Sequence, residues 1–528
     1  MDLHLKGAIY PVPPQSQGFL SNLFLVKKKD GGHRPVINLR DLNYFVKYQH
    51  FKMEGIHLLK DLLIKDDWMV KIDLKDAYLT VPVHPSHHPY LQFLWKNQKW
   101  QFQSLPFGLS SAPWCFTKLL KPVVAMLRSR GVRLIIYLDD ILIMAQTLHL
   151  INLHTQWTLS LFTNLGFLIN TKKSVLTPSK EVEFLGFSIN TQLALLSLPN
   201  RKLSLIRKEI PSILNKKLIC LRSLARIVGL LSASIQAIFP APLHYRALQR
   251  LKAQHLREGL SYSDQVTLNS DTEEELLWWL HHIQEWNGKA IFNFIPDHIL
   301  ESDASRLGWG ARCGHLSTGG KWSEGEATLH INCLELLAGF FALKSFARDK
   351  SHCCILLKMD NISAVQYINR LGGTKSKPLA NIAKEIWHFC LDKNIVLKAE
   401  YLPGLSNIVA DWNSRYLIDN SDWKLDHQIF LQINSLWGPL SIDLFASRLN
   451  RQIPQFFSWR PDPEALGVDA FLQFWPPSTL YAFPPFALIS RLHRLLIVGL
   501  HPFLFLFPSG ILLEDTKPSP EDVSKIPI

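Results

Sequence analysis

The stretch RLIIYLDDILIM, residues 133 to 144, is apolar almost throughout, yet two adjacent aspartates, Asp139 and Asp140, interrupt it. Carboxylates in such a run have two readings. They can serve a tight turn between two strands. They can also form a hard oxygen site for a divalent cation, which needs a third carboxylate from elsewhere. The segment WMVKIDLKDAYLTVPV (68–83) offers one: the β-type run Met69-Val70-Lys71-Ile72 delivers Asp73 at its end, followed by Asp76 and Tyr78. Taken alone, Asp73 also reads as an ordinary strand-end residue.

Between the two segments lies LPFGLSSAPWCFTKLL (105–120), where Gly108 permits close backbone approach and Pro113 suits the first turn of a helix. Upstream, LVKKKDGGHRPVINLRDLN (25–43) has an Asp30-Gly31-Gly32 centre that reads as a hairpin turn with basic flanks. At 528 residues, the chain is long enough for about three or four domains. Lys plus Arg exceed Asp plus Glu by 57 − 44 = 13, which favours an anionic partner. The 7 cysteines form no Cys-x-x-Cys pair, so neither a zinc site nor a disulfide framework is indicated. MDLHLKGAIYPVPP lacks the apolar core of a signal peptide, and LLIVGLHPFLFLF (495–507) is broken by His501 and Pro502. The expectation is a cytoplasmic or nuclear protein, neither secreted nor membrane-bound.

These segments, in this order, resemble the fingers and palm of reverse transcriptases. Tyr137-Leu138-Asp139-Asp140 is similar to the family's Tyr-x-Asp-Asp signature, DLKDAY to its first catalytic motif and LPFGLSSAP to its template-gripping motif. LGFLINTKKSVLTPSKEVEFLGFSI (165–189) resembles the strands that follow the palm. The resemblance implies that Asp73, Asp139 and Asp140 bind two Mg²⁺ ions, with Mn²⁺ as an alternative, roughly 3.5–4 Å apart. A primer 3′-hydroxyl would then attack the α-phosphorus of a deoxynucleoside triphosphate. By the same resemblance Lys28 and Arg34 contact the triphosphate, Tyr78 is the gate against a ribose 2′-hydroxyl, and Gly108 and Tyr137 line the substrate site. A core aromatic is the alternative reading of Tyr78.

From 191 to 258 the chain turns helical and basic, with Arg201, Lys202, Arg207, Lys208, Arg222, Arg226, Arg246 and Arg250 among its cations. This suits a thumb laid on a duplex backbone. Residues 259–295 read as a connection.

A second acid set follows. ILESDASRLGWGARCG (299–314) places Asp303 on a strand, and STGGKWSEGE (317–326) supplies a Gly-Gly turn and a further strand. HINCLELLAGFFALKSFA (330–347) reads as an amphipathic helix with Leu334, Leu337, Ala338 and Phe341 on its stripe and Glu335 beside it. CCILLKMDN ends a strand at Asp360, and NIVADWNSR places Asp411 on a last helix. The order β-β-β-α-β-α-β-α with these acids resembles the ribonuclease H fold. It implies a two-metal site at Asp303, Glu335, Asp360 and Asp411 that cleaves the RNA of an RNA–DNA hybrid. The family's histidine before the Pro-Gly loop is either matched by Tyr401, a poor proton shuttle at neutral pH, or missing from the loop altogether.

The tail, with many prolines between short apolar runs, resembles that of DIRS-like, tyrosine-recombinase retrotransposons. There this region is similar to an adenine-N6 methyltransferase. Its catalytic loop is here Phe483-Pro484-Pro485-Phe486, whose first residue cannot accept a hydrogen bond, so no methyl transfer is expected. The expected fold is therefore α+β and multidomain: a right-hand polymerase with fingers and palm at 1–190, a thumb at 191–258 and a connection at 259–295. A ribonuclease H-like α/β domain at 296–417 and a degenerate α/β segment or packing appendage at 418–528 complete it. The expected partners are an RNA template, an RNA–DNA hybrid, a primer–template duplex and deoxynucleoside triphosphates. A catalytically decayed, nucleic-acid-binding scaffold is the alternative.

Overall fold

The computed structural model describes residues 2–27, 33–216, 218–291, 295–416, 423–498, 503–507 and 510–514. The chain divides into two compact α/β units. The first comprises 1–241 with 261–293, the second 242–260 with 294–528.

In the first unit the strand Trp68–Lys75 lies beside Asp140–Ala145, which lies beside Arg133–Tyr137, all antiparallel. Leu168–Ile169 and Val175–Ser179 pair with the other edge of Trp68–Lys75. Side chains alternate across a strand. Val70, Ile72 and Leu74 therefore enter one core with Ile141, Ile143, Leu134 and the helices Ala112–Ser129 and Leu148–Asn164. Lys71 and Asp73 are thrown to the opposite face, as is Asp140. Pro113 sits in the first turn of the helix Ala112–Ser129, as the sequence suggests.

The strands Leu23–Lys27 and His33–Ile37 pair antiparallel on either side of the expected Asp30-Gly31-Gly32 turn. The turn itself and Lys28 lie outside the described residues. Beyond Ser179, Glu181–Phe184, Phe187–Asn190, Leu195–Ser197 and Lys289–Ala290 form a second antiparallel sheet. The helices Asn200–Leu214 and Leu221–Ser232 follow. Part of their basic character is neutralised internally, because Arg201 pairs with Glu183 and Arg226 with Glu209. The helix Arg246–Arg257, expected in the thumb, groups instead with the second unit. There Arg246 Nη2 donates to the carbonyl of Arg370 at 2.7 Å and Arg250 to that of Gly373 at 3.4 Å.

The second unit is built on a five-stranded sheet in the order Leu316–Lys321, Gly308–Cys313, His298–Ala304, Cys354–Met359, Val396–Tyr401. The last three strands are parallel and the first two antiparallel to their neighbours. Two expectations are corrected here. Gly319 and Gly320 do not form a turn: they lie inside the strand Leu316–Lys321, and the turn is at Gly314, where φ is +60°. The helix Ile331–Ala347 is not amphipathic, since Leu336, Gly339, Phe340 and Leu343 are buried along with Leu334, Ala338 and Phe341 of the expected stripe, while Leu337 is only half-buried. It packs on the sheet and on the helix Lys377–Asp392, and Arg448 of the tail covers Phe341.

The tail docks firmly within this unit. Arg448, nearly buried, makes a two-pronged bond to Glu326 at 2.9 and 2.6 Å and also donates to the carbonyl of Lys321. Thr318 and Arg348 donate to the carbonyls of Pro461 and Pro463, both at 2.5 Å. Among the described residues no helix is long and apolar enough to cross a membrane.

Candidate functional site

Strand pairing alone assembles the first carboxylate group. Asp73 and Asp140 are direct partners in the ladder, and Tyr137 pairs with Asp140 to close a two-residue turn of Leu138 and Asp139. Leu138 has φ +54°, a left-handed conformation that costs a residue with a Cβ about 1–2 kcal/mol. That strain is held where Asp139 projects. The Asp139 carbonyl accepts from Leu74 N at 2.8 Å, tying the turn to the strand that carries Asp73.

Each acid has a distinct environment. Asp73 is buried, and its Oδ1 accepts from Asn170 Nδ2 at 2.8 Å; Ser174 holds its backbone N–H at 3.0 Å. Asp140 Oδ1 pairs with Lys71 Nζ at 3.0 Å. Asp139 is exposed at the tip, and its pKa is raised by desolvation on its protein-facing side and then by Asp140 and Asp73. Tyr78 is buried, its ring 5.1 Å from Phe107 and 5.3 Å from Phe116. Burial, then Asp139 and Tyr137, push its phenol up to about 12. Gly108 is at φ +107°, and a Cβ there would meet the Ile37 carbonyl at 2.8 Å, so only glycine fits. Tyr137 is half-buried at the strand end. Arg34 lies on His33–Ile37, opposite Val26.

The second group is tighter. Asp303, Glu335 and Asp360 bring ligand oxygens within 4.8 Å of one another, the one such set of three among the described residues. Asp303 comes from the central strand, Glu335 from the buried helix, and Asp360 from the end of the neighbouring parallel strand. Burial, then Asp360 and Asp303, push Glu335 up to about 9. Asp303 rises to about 6, mainly by burial and against the Ser414 hydroxyl, which donates to its Oδ2 at 2.7 Å. Asp360 is raised by burial and by Asp411. Glu335 Oε2 is buried without a hydrogen-bond partner. An orphaned buried oxygen among three crowded carboxylates suits a hard divalent cation.

Asp411 is not part of that close set. Its Oδ1 accepts from Arg415 Nε at 2.7 Å, one helical turn away. Two glycines let its helix, Ile408–Tyr416, press on the sheet. A Cβ at Gly310 would meet the Ala410 carbonyl at 2.1 Å, and one at Gly319 would meet Trp309 O at 2.6 Å and Asn413 O at 3.1 Å. Tyr401 pairs with Met359, beside Asp360, and is exposed. Lys71, Asn170, Ser174 and Ser414 escaped sequence reasoning. Only Arg415, four residues after Asp411 on a helix, left a legible spacing signal.

Residues 26–189 match the family described as "Reverse transcriptase (RNA-dependent DNA polymerase)". This segment is a reverse transcriptase domain. The chain is 26% identical over 424 residues to the genome polyprotein of Petunia vein clearing virus, covering 76% of this chain and 18% of that protein. It is 24% identical to the putative enzymatic polyprotein of Cassava vein mosaic virus, covering 78% and 63%. The Gag-Pol polyprotein of Gibbon ape leukemia virus is 29% identical over 196 residues, covering 35% of this chain and 12% of that protein. The chain thus spans less than two thirds of the length of these relatives. Among solved structures, a foamy viral protease-reverse transcriptase in complex with RNA/DNA hybrid is 17% identical with a TM-score of 0.48, covering 81% of this chain and 55% of that one.

Proposed function

We propose that this protein is an RNA-directed DNA polymerase with a ribonuclease H activity in the same chain, copying the RNA of a mobile or viral element into DNA. The observation that carries the reading is the register of Asp73 against Asp140, with Asp139 on the turn that leads into Asp140, inside a reverse transcriptase domain. The donors are all carboxylate oxygens, the chemistry Mg²⁺ prefers. When bound at such a site, divalent ions activate an attacking oxygen and stabilise a leaving one.

The chain's own residues do the rest. Asp73 and Asp139 hold the metal side of the polymerase site, and Asn170 fixes the Asp73 carboxylate. Lys71 offsets the charge of Asp140. Tyr78, held by Phe107 and Phe116, serves in this reading as the gate against a ribose 2′-hydroxyl. Lys28 and Arg34 supply charge for a triphosphate. In the second unit Asp303, Glu335 and Asp360 hold the nuclease metals. Asp411 completes the set once Arg415 releases it. The substrates are then a primer–template duplex, its RNA–DNA hybrid and deoxynucleoside triphosphates. The descent from a DIRS-like element rests on the tail alone.

The test is primer extension on a homopolymer RNA template with purified protein. Mg²⁺-dependent incorporation that vanishes in Asp139→Asn is expected. Tight hybrid binding with no incorporation by the unaltered protein would replace the enzyme with a scaffold.

A further inference from the structure

Of the four acids proposed for the nuclease site, three lie close together and one stands apart. Asp303, Glu335 and Asp360 bring oxygens within 4.8 Å of one another. Asp411 is turned to Arg415 instead, whose Nε donates to its Oδ1 at 2.7 Å. A pair of this spacing on a helix surface is ordinarily of little consequence. Two observations set this one apart.

The first is where the charge of the guanidinium is felt. Burial raises Asp303, Glu335 and Asp360, and at each of them the Arg415 charge opposes the rise. A cation directed out into water would be screened from these acids. Arg415 is therefore one cation shared by all four carboxylates.

The second is that its helix is held by other residues. Buried Asn407, just before Ile408–Tyr416, donates from Nδ2 to the Ser302 carbonyl at 2.9 Å. Ser414 Oγ donates to Asp303 Oδ2 at 2.7 Å, and Ser305 Oγ donates to the Ser414 carbonyl at 2.6 Å. The Arg415 side chain is half exposed. With its backbone fixed in this way, Asp411 can leave the guanidinium by side-chain rotation alone.

Charge balance gives the pair a role. Ionised, the four carboxylates carry four negative charges. One divalent ion among the close three, together with the guanidinium, answers three of them. A second divalent ion answers all four and makes the guanidinium surplus. The close set, with the buried and unpartnered Glu335 Oε2, is open to a first ion without any such exchange.

We infer that Arg415 is a positioning residue whose guanidinium stands in for the second divalent ion, so that two ions load in order and Arg415 sets how tightly the second is held. The inference rests on the nuclease reading. It is tested by equilibrium Mn²⁺ binding, read from the spin resonance of the free ion. The full chain carries Asp73→Asn/Asp139→Asn, which silences the first carboxylate group. Binding that disappears in Asp303→Asn belongs to the second unit. There the parent should show one tighter and one weaker ion. Arg415→Gln should tighten the weaker step about fivefold, the upper worth of an exposed ion pair, and leave the tighter step in place. Arg415→Lys, which keeps a cation at the same place on the helix, should restore the weaker step. Melting temperatures in excess Mg²⁺ should match, because Asn407 and Ser414 hold the helix. If Arg415→Gln leaves the second step unchanged or weakens it, the inference is overturned and the nuclease reading stands. A lowered melting temperature with unchanged binding makes Arg415 a structural pair and likewise overturns it. Mn²⁺ binding that Asp303→Asn leaves intact would remove the nuclease metal site and this inference together.

Discussion

Lys71 and Asp140 are diagonal neighbours on adjacent antiparallel strands, and their side chains meet at 3.0 Å on the face that also carries Asp73. An ammonium therefore already offsets one of the three acids of the proposed polymerase site, and the three are not equivalent. Asp73→Asn and Asp139→Asn should each lower incorporation by roughly a hundredfold to a thousandfold, the worth of several kcal/mol of metal-held charge stabilisation. Asp140→Asn should cost less, because Lys71 shares its charge. Single-nucleotide incorporation rates for the three variants check the order; equal losses would contradict it.

Tyr78 packs between Phe107 and Phe116. Tyr78→Val should raise ribonucleotide incorporation relative to deoxynucleotide. It should also lower stability, by about 2–4 kcal/mol, for the volume lost from the core. The ratio of the two incorporation efficiencies is the readout. A variant that is destabilised but equally selective would make Tyr78 a core aromatic and nothing more.

Glu335, at about 9, and Asp303, at about 6, both sit above the ordinary carboxylate range. A carboxyl whose pKa is raised in the folded state is tolerated as the neutral acid and opposes folding as the anion. Without divalent ions the stability of the second unit should therefore decline as pH rises from about 4.3, the unfolded value, through about 9. Mg²⁺ should reverse the decline, most strongly at the alkaline end, where metal no longer competes with protons. Melting curves of the full chain against pH, with Mg²⁺ and with chelator, measure this. Glu335→Gln should flatten the chelator curve.

Gly310 lies under the helix that bears Asp411, with the Ala410 carbonyl 2.1 Å from where a Cβ would be. Gly310→Ala should displace that helix and cut hybrid cleavage at least about tenfold, since a shift near 1 Å is enough to disturb a catalytic constellation. Primer extension should be unaffected. Parallel loss of both activities would point to general unfolding instead.

Arg448 fastens the tail to the sheet of the second unit through Glu326. Burial alone would push Glu326 up, but the bonds from Arg448 and Ser323 outweigh it and hold the carboxyl below its ordinary value. The contribution is present above pH of about 4.3 and is lost as pH falls through the lower folded value. Arg448→Ala should destabilise the second unit by up to about 3 kcal/mol, because a partly buried carboxylate is left unpaired. Arg448→Lys should recover little of it, since one ammonium cannot make the two-pronged bond. Thermal unfolding of the three proteins decides.

What the sequence determined by itself was the local chemistry. The β-type run Met69-Val70-Lys71-Ile72 delivered Asp73 on a strand, and the apolar run around Asp139 and Asp140 marked a hairpin whose charges needed an explanation. The acids of the second unit were legible because each ends a strand or opens a helix, places where short-range pattern is strong. The tertiary structure decided what depends on partners distant in sequence. The Gly319-Gly320 pair looked like a turn because glycine is permissive anywhere; only the helix Ile408–Tyr416 lying on it shows that the missing Cβ was needed for close approach. The helix Ile331–Ala347 looked one-sided because its stripe is regular; only the sheet, a second helix and Arg448 closing around it explain the buried residues off that stripe. Lys71 against Asp140 and Asn170 against Asp73 were set by register and packing. A sequence lists charges, but which charge neutralises which is fixed only when strands far apart in the chain lie side by side.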